Sequence, residues 1–205
     1  MGDDRELLLA WRSGDPKAGR QLVERHYPTI ERFFFNKVGD RAADLIQLSF
    51  LRVLEARARV RADADFRAYL LGIARNVLYE YYRSVRKDLG RLDFGTLSVV
   101  DVGPTPSSRL VKEQQARMLL GALQRIPIDY QIVLELYYWE SMRSREVAAV
   151  LEIPEGTARS RIRRAKQLLE EQLAELTHDP TVLDELVTNL EQWAAHLKQH
   201  VDAQH

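Results

Sequence analysis

Residues Gly156-Thr157-Ala158-Arg159-Ser160-Arg161-Ile162-Arg163-Arg164-Ala165-Lys166 contain five cations and no acid. Guanidinium forks match phosphate oxygens and the major-groove edge of guanine, so the chemistry on offer is nucleic-acid recognition. A short apolar helix signal, Ser144-Arg145-Glu146-Val147-Ala148-Ala149-Val150-Leu151, comes first, followed by the break Glu152-Ile153-Pro154-Glu155. Helix, tight break, then a helix of small residues and arginines is the form of a helix-turn-helix, whose second helix enters the major groove. Gly156 and Thr157 suit the entry of that helix, where bare N–H groups also favour phosphate. A lone arginine run reads as a solvated basic helix; the preceding helix and the proline break favour DNA.

A second stretch, Phe66 to Lys87, interleaves Phe66, Tyr69, Tyr79, Tyr81 and Tyr82 with Arg67, Arg75, Arg83, Arg86 and Lys87. Rings stack on unpaired bases while cations follow the backbone, which is how single strands are held. Taken alone, Phe66, Tyr69 and Tyr81 read more simply as core. No nucleophile–base pair and no phosphate-cradling glycine loop is present, so no catalytic residue and no cofactor is assigned. The chain has no cysteine, which excludes disulfides and thiolate metal sites. His196 and His200 lie four apart without an evident third ligand, His26 reads as a packed core histidine, and Asp3-Asp4 reads as a helix cap. No metal site is expected.

The elements that must position these residues are helical almost throughout. Apolar residues recur at helical spacing from Leu7 to Phe34, Ala42 to Leu54, Phe66 to Val85, and Val111 to about Leu176. Pro28 predicts a bend in the first of these spans. No alternating strand pattern and no internal repeat is found. Lys87 to Leu110 holds Gly90, Gly95, Gly103, Pro104, Pro106, Ser107 and Ser108 without a period, and reads as a mobile, partly extended linker. After Asp179-Pro180 a final amphipathic helix carries Leu183, Leu186, Val187, Leu190, Trp193, Ala194, Leu197 and Val201. The expectation is an all-α chain of two helical domains, 1–88 and 112–176, joined by a linker at 89–111 and extended by a C-terminal helix at 177–205.

The formal net charge is zero, with 30 Lys and Arg against 30 Asp and Glu, which at first sight opposes DNA binding. The charge is unevenly placed: residues 170–205 carry eight acids against Lys198, beside the basic run at 156–166. Phosphate responds to the local field, so the global balance excludes nothing. No apolar run approaches a membrane span and the first residues lack a signal-peptide pattern, so no membrane contact and a cytoplasmic location are expected.

Four motifs in order resemble a sigma factor of bacterial RNA polymerase of the compact extracytoplasmic-function type. They are Asp44-Leu45-Ile46-Gln47-Leu48-Ser49-Phe50, Ile73-Ala74-Arg75-Asn76, Leu134-Glu135-Leu136-Tyr137-Tyr138-Trp139-Glu140, and Gly156 to Ala165, together spanning about residues 5–174. The resemblance implies two sigma domains: region two, which melts the promoter, and region four, a helix-turn-helix. It also implies no catalysed reaction. Asp44, Gln47 and Phe50 would dock on the clamp helices of core RNA polymerase. The loop Arg59 to Asp65 with Arg75 and Asn76 would capture an unpaired base of the minus-ten element. Arg83, Arg86 and Lys87 would face duplex phosphates of promoter DNA, and Arg159, Ser160, Arg163 and Arg164 would read the minus-thirty-five element. The linker would thread toward the RNA exit channel.

The docking helix departs from the family pattern. Where the family is acidic this chain reads Arg41-Ala42-Ala43-Asp44-Leu45-Ile46-Gln47-Leu48, and only Asp44 keeps its charge. That loss of acids, with Ser49 beside it and a longer C-terminal end, is similar to a subgroup linked to Ser/Thr protein kinases. Phosphorylation of Ser49 would restore negative charge to the surface; the alternative is that Ser49 is a plain buried or solvated helix residue. The C-terminal helix reads as an extension of the fold, with an internal brake as the sharper alternative. An anti-sigma factor is a further implied partner. Two other readings stay open: a helix-turn-helix regulator that never touches polymerase, and a helical adaptor or scaffold in kinase signalling.

Overall fold

The computed structural model describes residues 3–60, 65–87, 90, 92–102, 114–177, 179–190, 192 and 195. Among these residues no strand forms, and the backbone is helical apart from turns and one isolated bridge between Ser98 and Pro127. The elements are α1 (Asp4–Arg12), α2 (Pro16–Phe35), α3 (Ala42–Ala56), α4 (Phe66–Val85), a single turn α5 (Val99–Val102), α6 (Gln114–Leu123), α7 (Ile128–Leu134), α8 (Ser144–Leu151), α9 (Glu155–Leu176) and α10 (Pro180–Thr188). A π-helical turn, Glu135–Trp139, continues α7.

Local chemistry sets the helix starts. Asp3 and Glu6 form a capping box on α1. Asp15 accepts from the Lys17 N–H at 2.8 Å and Pro16 opens α2; Asp65 accepts from the Ala68 N–H at 3.0 Å at the head of α4. Asp179 and Pro180 repeat the device at α10.

Helices α1 to α4 pack on one another through Leu8, Leu22, Ile30, Phe34, Leu70, Leu71, Leu78 and Tyr82, each almost wholly enclosed. Helices α6 to α8 pack along α9, which buries Ala158, Ile162, Ala165, Leu169 and Leu173 as one stripe. The two groups also meet, chiefly where α4 crosses α8. Helix α10 lies on α9, with Leu186 and Leu190 buried. Trp193, Ala194, Leu197, Val201, His196 and His200 fall outside the described residues.

Helix α2 continues through Pro28, which sits on the exposed side, so the proline does not end the helix. One expectation is corrected. The segment after α4 is not a free linker over its described length. Leu92, Phe94, Ser98, Val99 and Val102 are buried, the Ile128 N–H donates to the Leu97 carbonyl and the Asp129 N–H to that of Phe94, both at 3.0 Å. Enough apolar side chains punctuate the glycines to anchor it against α4 and α7. Residues 103–113 lie outside the described residues.

Helices α1 and α2 come together at Gly19, where an added Cβ would run into the Trp11 indole. Gly19→Ala is expected to lower unfolding stability by about 1–3 kcal/mol through overpacking, despite the better helix propensity of alanine. Chemical denaturation of the two proteins checks it.

Candidate nucleic-acid interface

Helix α8 ends at Glu152, a non-glycine residue in the left-handed region at φ 56°, and Pro154 leads into α9. With the apolar stripe of α9 turned inward, Thr157, Arg159, Ser160, Arg163 and Arg164 fall on the outer face. The Arg159 side chain is 70% exposed and pairs with Glu155 at 2.6 Å. Its hydrogen bond, with one from Ser144, holds the Glu155 carboxyl below the usual carboxylate range. The Ser160 hydroxyl donates to the Thr157 carbonyl at 2.9 Å, and Arg164 reaches Glu171 at 3.2 Å. The other two cations of the run turn toward the protein. Arg161 lies 3.9 Å from Asp129, and Lys166 stands over the rings of Tyr137 and Tyr138. The periodicity of the helix thus divides five cations into an outward trio and an inward pair.

On α4, Arg75 does not project freely. Its guanidinium donates to the Val150 carbonyl of α8 at 2.9 Å. Asn76 is exposed beside it, as are Arg83 and Lys87 toward the helix end. Arg86 donates to the Asp101 carbonyl at 2.6 Å. Between these cations lies Tyr79, stacked on Phe94 with centroids 4.3 Å apart and planes 10° apart. The Tyr79 hydroxyl donates to Asp129 at 2.5 Å. Burial first, then the Asp129 charge, pushes that phenol well above its ordinary value. Of the loop Arg59 to Asp65, residues 61–64 lie outside the described residues.

On α3, Asp44 and Gln47 are exposed and Phe50 is half-buried, its ring parallel to Tyr27 at 6.2 Å. Leu51 and Leu54 add apolar surface to the same helix at 49% and 41% exposure. Arg41 pairs with Asp44 at 3.3 Å. Ser49 departs from expectation. It is 0% exposed, and its hydroxyl donates to the Leu45 carbonyl at 2.7 Å. A kinase cannot reach it in this conformation, and a phosphate would not fit in the core between Leu45 and Val53. The spacing Leu45, Ser49, Val53 is a helical core stripe, a signal that placed this serine inward from the start.

Residues not singled out by sequence join the two groups of helices. From the end of α2, Lys37 forms a buried ion pair with Glu135. The same carboxylate accepts from Asn36 at 3.0 Å and from Gln131 at 2.9 Å. One turn away, Arg32 pairs with Glu140 at 2.9 Å, and the Arg67 guanidinium donates to the Glu140 carbonyl. Lys37 is 0% exposed and Glu135 3%, so both charges are held out of water. Burial draws the Lys37 ammonium below its ordinary value, against the opposing pull of Glu135. The π turn makes the double contact feasible. Residues five apart on an α-helix point about 140° from each other. Here the Glu140 N–H donates to the Glu135 carbonyl at 3.0 Å, and that wider turn brings both carboxylates to the side facing α2. The sequence signal was present: Arg32 and Lys37 flank an aromatic run, and Glu135 interrupts an apolar one.

Comparison with known proteins follows the same division. Residues 22–88 match the family model for Sigma-70 region 2, and residues 116–169 that for Sigma-70, region 4. The chain is 25% identical over 185 residues to the ECF RNA polymerase sigma-E factor of Haemophilus influenzae, covering 84% of this chain and 96% of that protein. It is likewise 25% identical over 183 residues to the sigma-E factor of Escherichia coli (strain K12), covering 84% and 95%. Among solved structures, CnrH in complex with the cytosolic domain of CnrY shares the fold at a TM-score of 0.61 with 23% identity, covering 85% of this chain and 99% of that one. The sigma factor RpoE bound to the anti-sigma factor NepR from Bartonella quintana shares it at 0.57 with 20% identity, covering 76% and 96%. Among the described residues, no helix is long and apolar enough to cross a membrane and no cluster of metal-ligating side chains occurs.

Removing one partner of a buried pair strands the other charge, at a cost of about 3–5 kcal/mol, whereas replacing both by apolar residues is often neutral. Lys37→Met is therefore expected to separate the two helical groups. The double variant Lys37→Met/Glu135→Leu is expected to recover part of the contact. Radius of gyration by small-angle scattering reads the outcome: larger for the single variant, smaller again for the double.

Proposed function

Since this chain belongs to the sigma-70 family and is of its extracytoplasmic-function type, we propose that it directs RNA polymerase to promoters through the three surfaces described above. It is an RNA polymerase sigma factor, and as such catalyses no reaction itself. The observation that carries the residue assignment is the outer face of α9. Arg159, Ser160, Arg163 and Arg164 stand together, exposed, on the first turns of the second helix of a helix-turn-helix. In this reading residues 112–176 hold the minus-thirty-five element in the major groove. Residues 1–88 dock polymerase, hold the separated minus-ten strand with Arg75 and Asn76, and face duplex phosphates just upstream with Arg83, Arg86 and Lys87. Residues 89–111 join the two, and 177–205 extend the second. Core RNA polymerase and promoter DNA are the partners, and anti-sigma proteins of the kind bound by structural relatives are a further partner class.

Docking on polymerase falls to Asp44, Gln47 and Phe50 with Leu51 and Leu54 beside them. One carboxylate, already paired with Arg41, leaves this face mostly apolar. Apolar contact is weakly screened by salt, so affinity for core polymerase is expected to change less than about threefold between roughly 0.1 and 0.4 M salt. Leu51→Lys is expected to weaken it. A kinase-linked switch at Ser49 finds no support in its enclosed hydroxyl. Ser49→Ala is expected to bind core as the unaltered chain does, and a kinase-dependent gain in core binding, lost in Ser49→Ala, would reinstate the switch.

Run-off transcription with added core polymerase tests the whole reading. The chain is expected to start RNA synthesis at a defined site, and Arg163→Ala to lower that yield about tenfold through loss of one bidentate base or phosphate contact. Tight binding to duplex promoter DNA without any polymerase-dependent start would favour a polymerase-independent regulator. Binding to neither would favour an adaptor.

A further inference from the structure

Between Arg75 and Arg86 the Tyr79 ring of α4 is covered by the chain's own residues, and the occupant has the form of a nucleotide. Phe94 lies flat on Tyr79, at 4.3 Å and 10°, the geometry of a stacked base. Arg83 stands over the Phe94 ring at 5.4 Å and over Tyr79 at 6.0 Å. Oxygen acceptors take the places where a strand would offer phosphate. The Asp101 carbonyl accepts from Arg86 at 2.6 Å, and Asp129 accepts from the Tyr79 hydroxyl at 2.5 Å while lying 3.9 Å from Arg161. A pocket of about 470 Å3, lined by Tyr79, Leu92, Asp93, Phe94 and Asp129, opens beside the stacked rings.

We infer that the Tyr79 ring, with Arg83 and Arg86, is a stacking site for an unpaired base of the DNA strand, and that Phe94 fills it in the free protein as an internal stand-in. The inference rests on the sigma reading above and deepens it. Three features support it. The stack is formed by a segment tied to α7 through the Asp129 N–H to Phe94 carbonyl and Ile128 N–H to Leu97 carbonyl bonds, so the segment moves with α7 and leaves α4 intact. The cations that grip the stand-in are those suited to a strand, so the two occupants exclude each other. The carboxylates of Asp93 and Asp129 line the pocket and repel phosphate while the segment is seated. Asp93 departs with the segment and Asp129 with α7, so displacement removes both repulsions together. Exchange is of like for like: one aromatic stack is lost as another forms.

The test measures binding of a single-stranded oligonucleotide to the full chain by fluorescence anisotropy. Phe94→Leu keeps apolar volume and loses the flat ring; it is expected to bind about fivefold or more tighter than the unaltered chain, the size expected for one base–aromatic stack. Adding Tyr79→Leu is expected to cancel the gain. For a readout that leaves the protein intact, para-fluorophenylalanine at position 94 keeps the ring, and its fluorine resonance is expected to move as oligonucleotide saturates the protein. Unchanged affinity in a folded Phe94→Leu, a gain that survives Tyr79→Leu, or a fluorine resonance that stays put at saturation each overturns the inference. Run-off transcription by the unaltered chain, measured in parallel, separates the two levels. If it starts RNA while these results go against the stack, only the stack fails; if it starts none, the sigma reading fails with it.

Discussion

Two carboxylates on one π turn hold this molecule in its closed form. Glu135 and Glu140 leave the second group of helices side by side and meet Lys37 and Arg32 at the end of α2, out of reach of water. Such pairs give little net stability over apolar packing but are costly to half-break. They therefore specify one relative placement of the two helical groups rather than many. The supporting bonds from Asn36 and Gln131 to Glu135 and from Thr29 to Glu140 give each carboxylate a donor besides its cation, which is what makes burial of the charge tolerable. The Tyr82 hydroxyl, donating to the Lys37 carbonyl at 2.8 Å, ties α4 to the same corner.

That placement has a consequence for α4. Its surface between Arg75 and Arg86 looks toward α7, α8 and the segment around Phe94, and the cations there are satisfied by carbonyls and rings of the same chain. Arginines along a helix are either left solvated or paired internally. Here they are paired. The contacts of Arg75 and Arg86 to carbonyls and of Arg83 to π faces are modest ones, so a polyanion that offers several phosphates at once competes with them.

The legible parts of the sequence were those where local pattern and chemistry coincide. The break Glu152-Ile153-Pro154 and the alternation of alanines with arginines after it located α8, α9 and the outer face of α9, because both rest on one helical period. The cap at Asp3 and the helix start after Asp179-Pro180 were legible from local chemistry. What escaped reading depends on partners far apart in sequence. Asn36 meets Glu135 across 99 positions, and nothing in either neighbourhood names the other. Phe94 was read as linker because glycine punctuation hides a single anchoring ring. At Ser49 two patterns overlap, a hydroxyl beside a sparsely charged surface and the core stripe of Leu45 and Val53, and the structure places the side chain in the stripe.

The exposed and covered faces together imply an order of events. The apolar face of α3 and the arginine face of α9 are exposed, as are Asn76, Arg83 and Lys87 along α4, whereas the Tyr79 ring between them is covered by Phe94. Under the proposed function, polymerase and duplex DNA meet surfaces that need no rearrangement, and the unpaired strand meets one that does. A free chain so arranged binds single strands weakly at random sites, since every such encounter must first displace Phe94 from Tyr79. Polymerase changes that balance if it holds the two helical groups apart, because its binding energy then bears the cost of opening before the strand arrives. A face made ready only after docking restricts strand capture to the place where polymerase already sits.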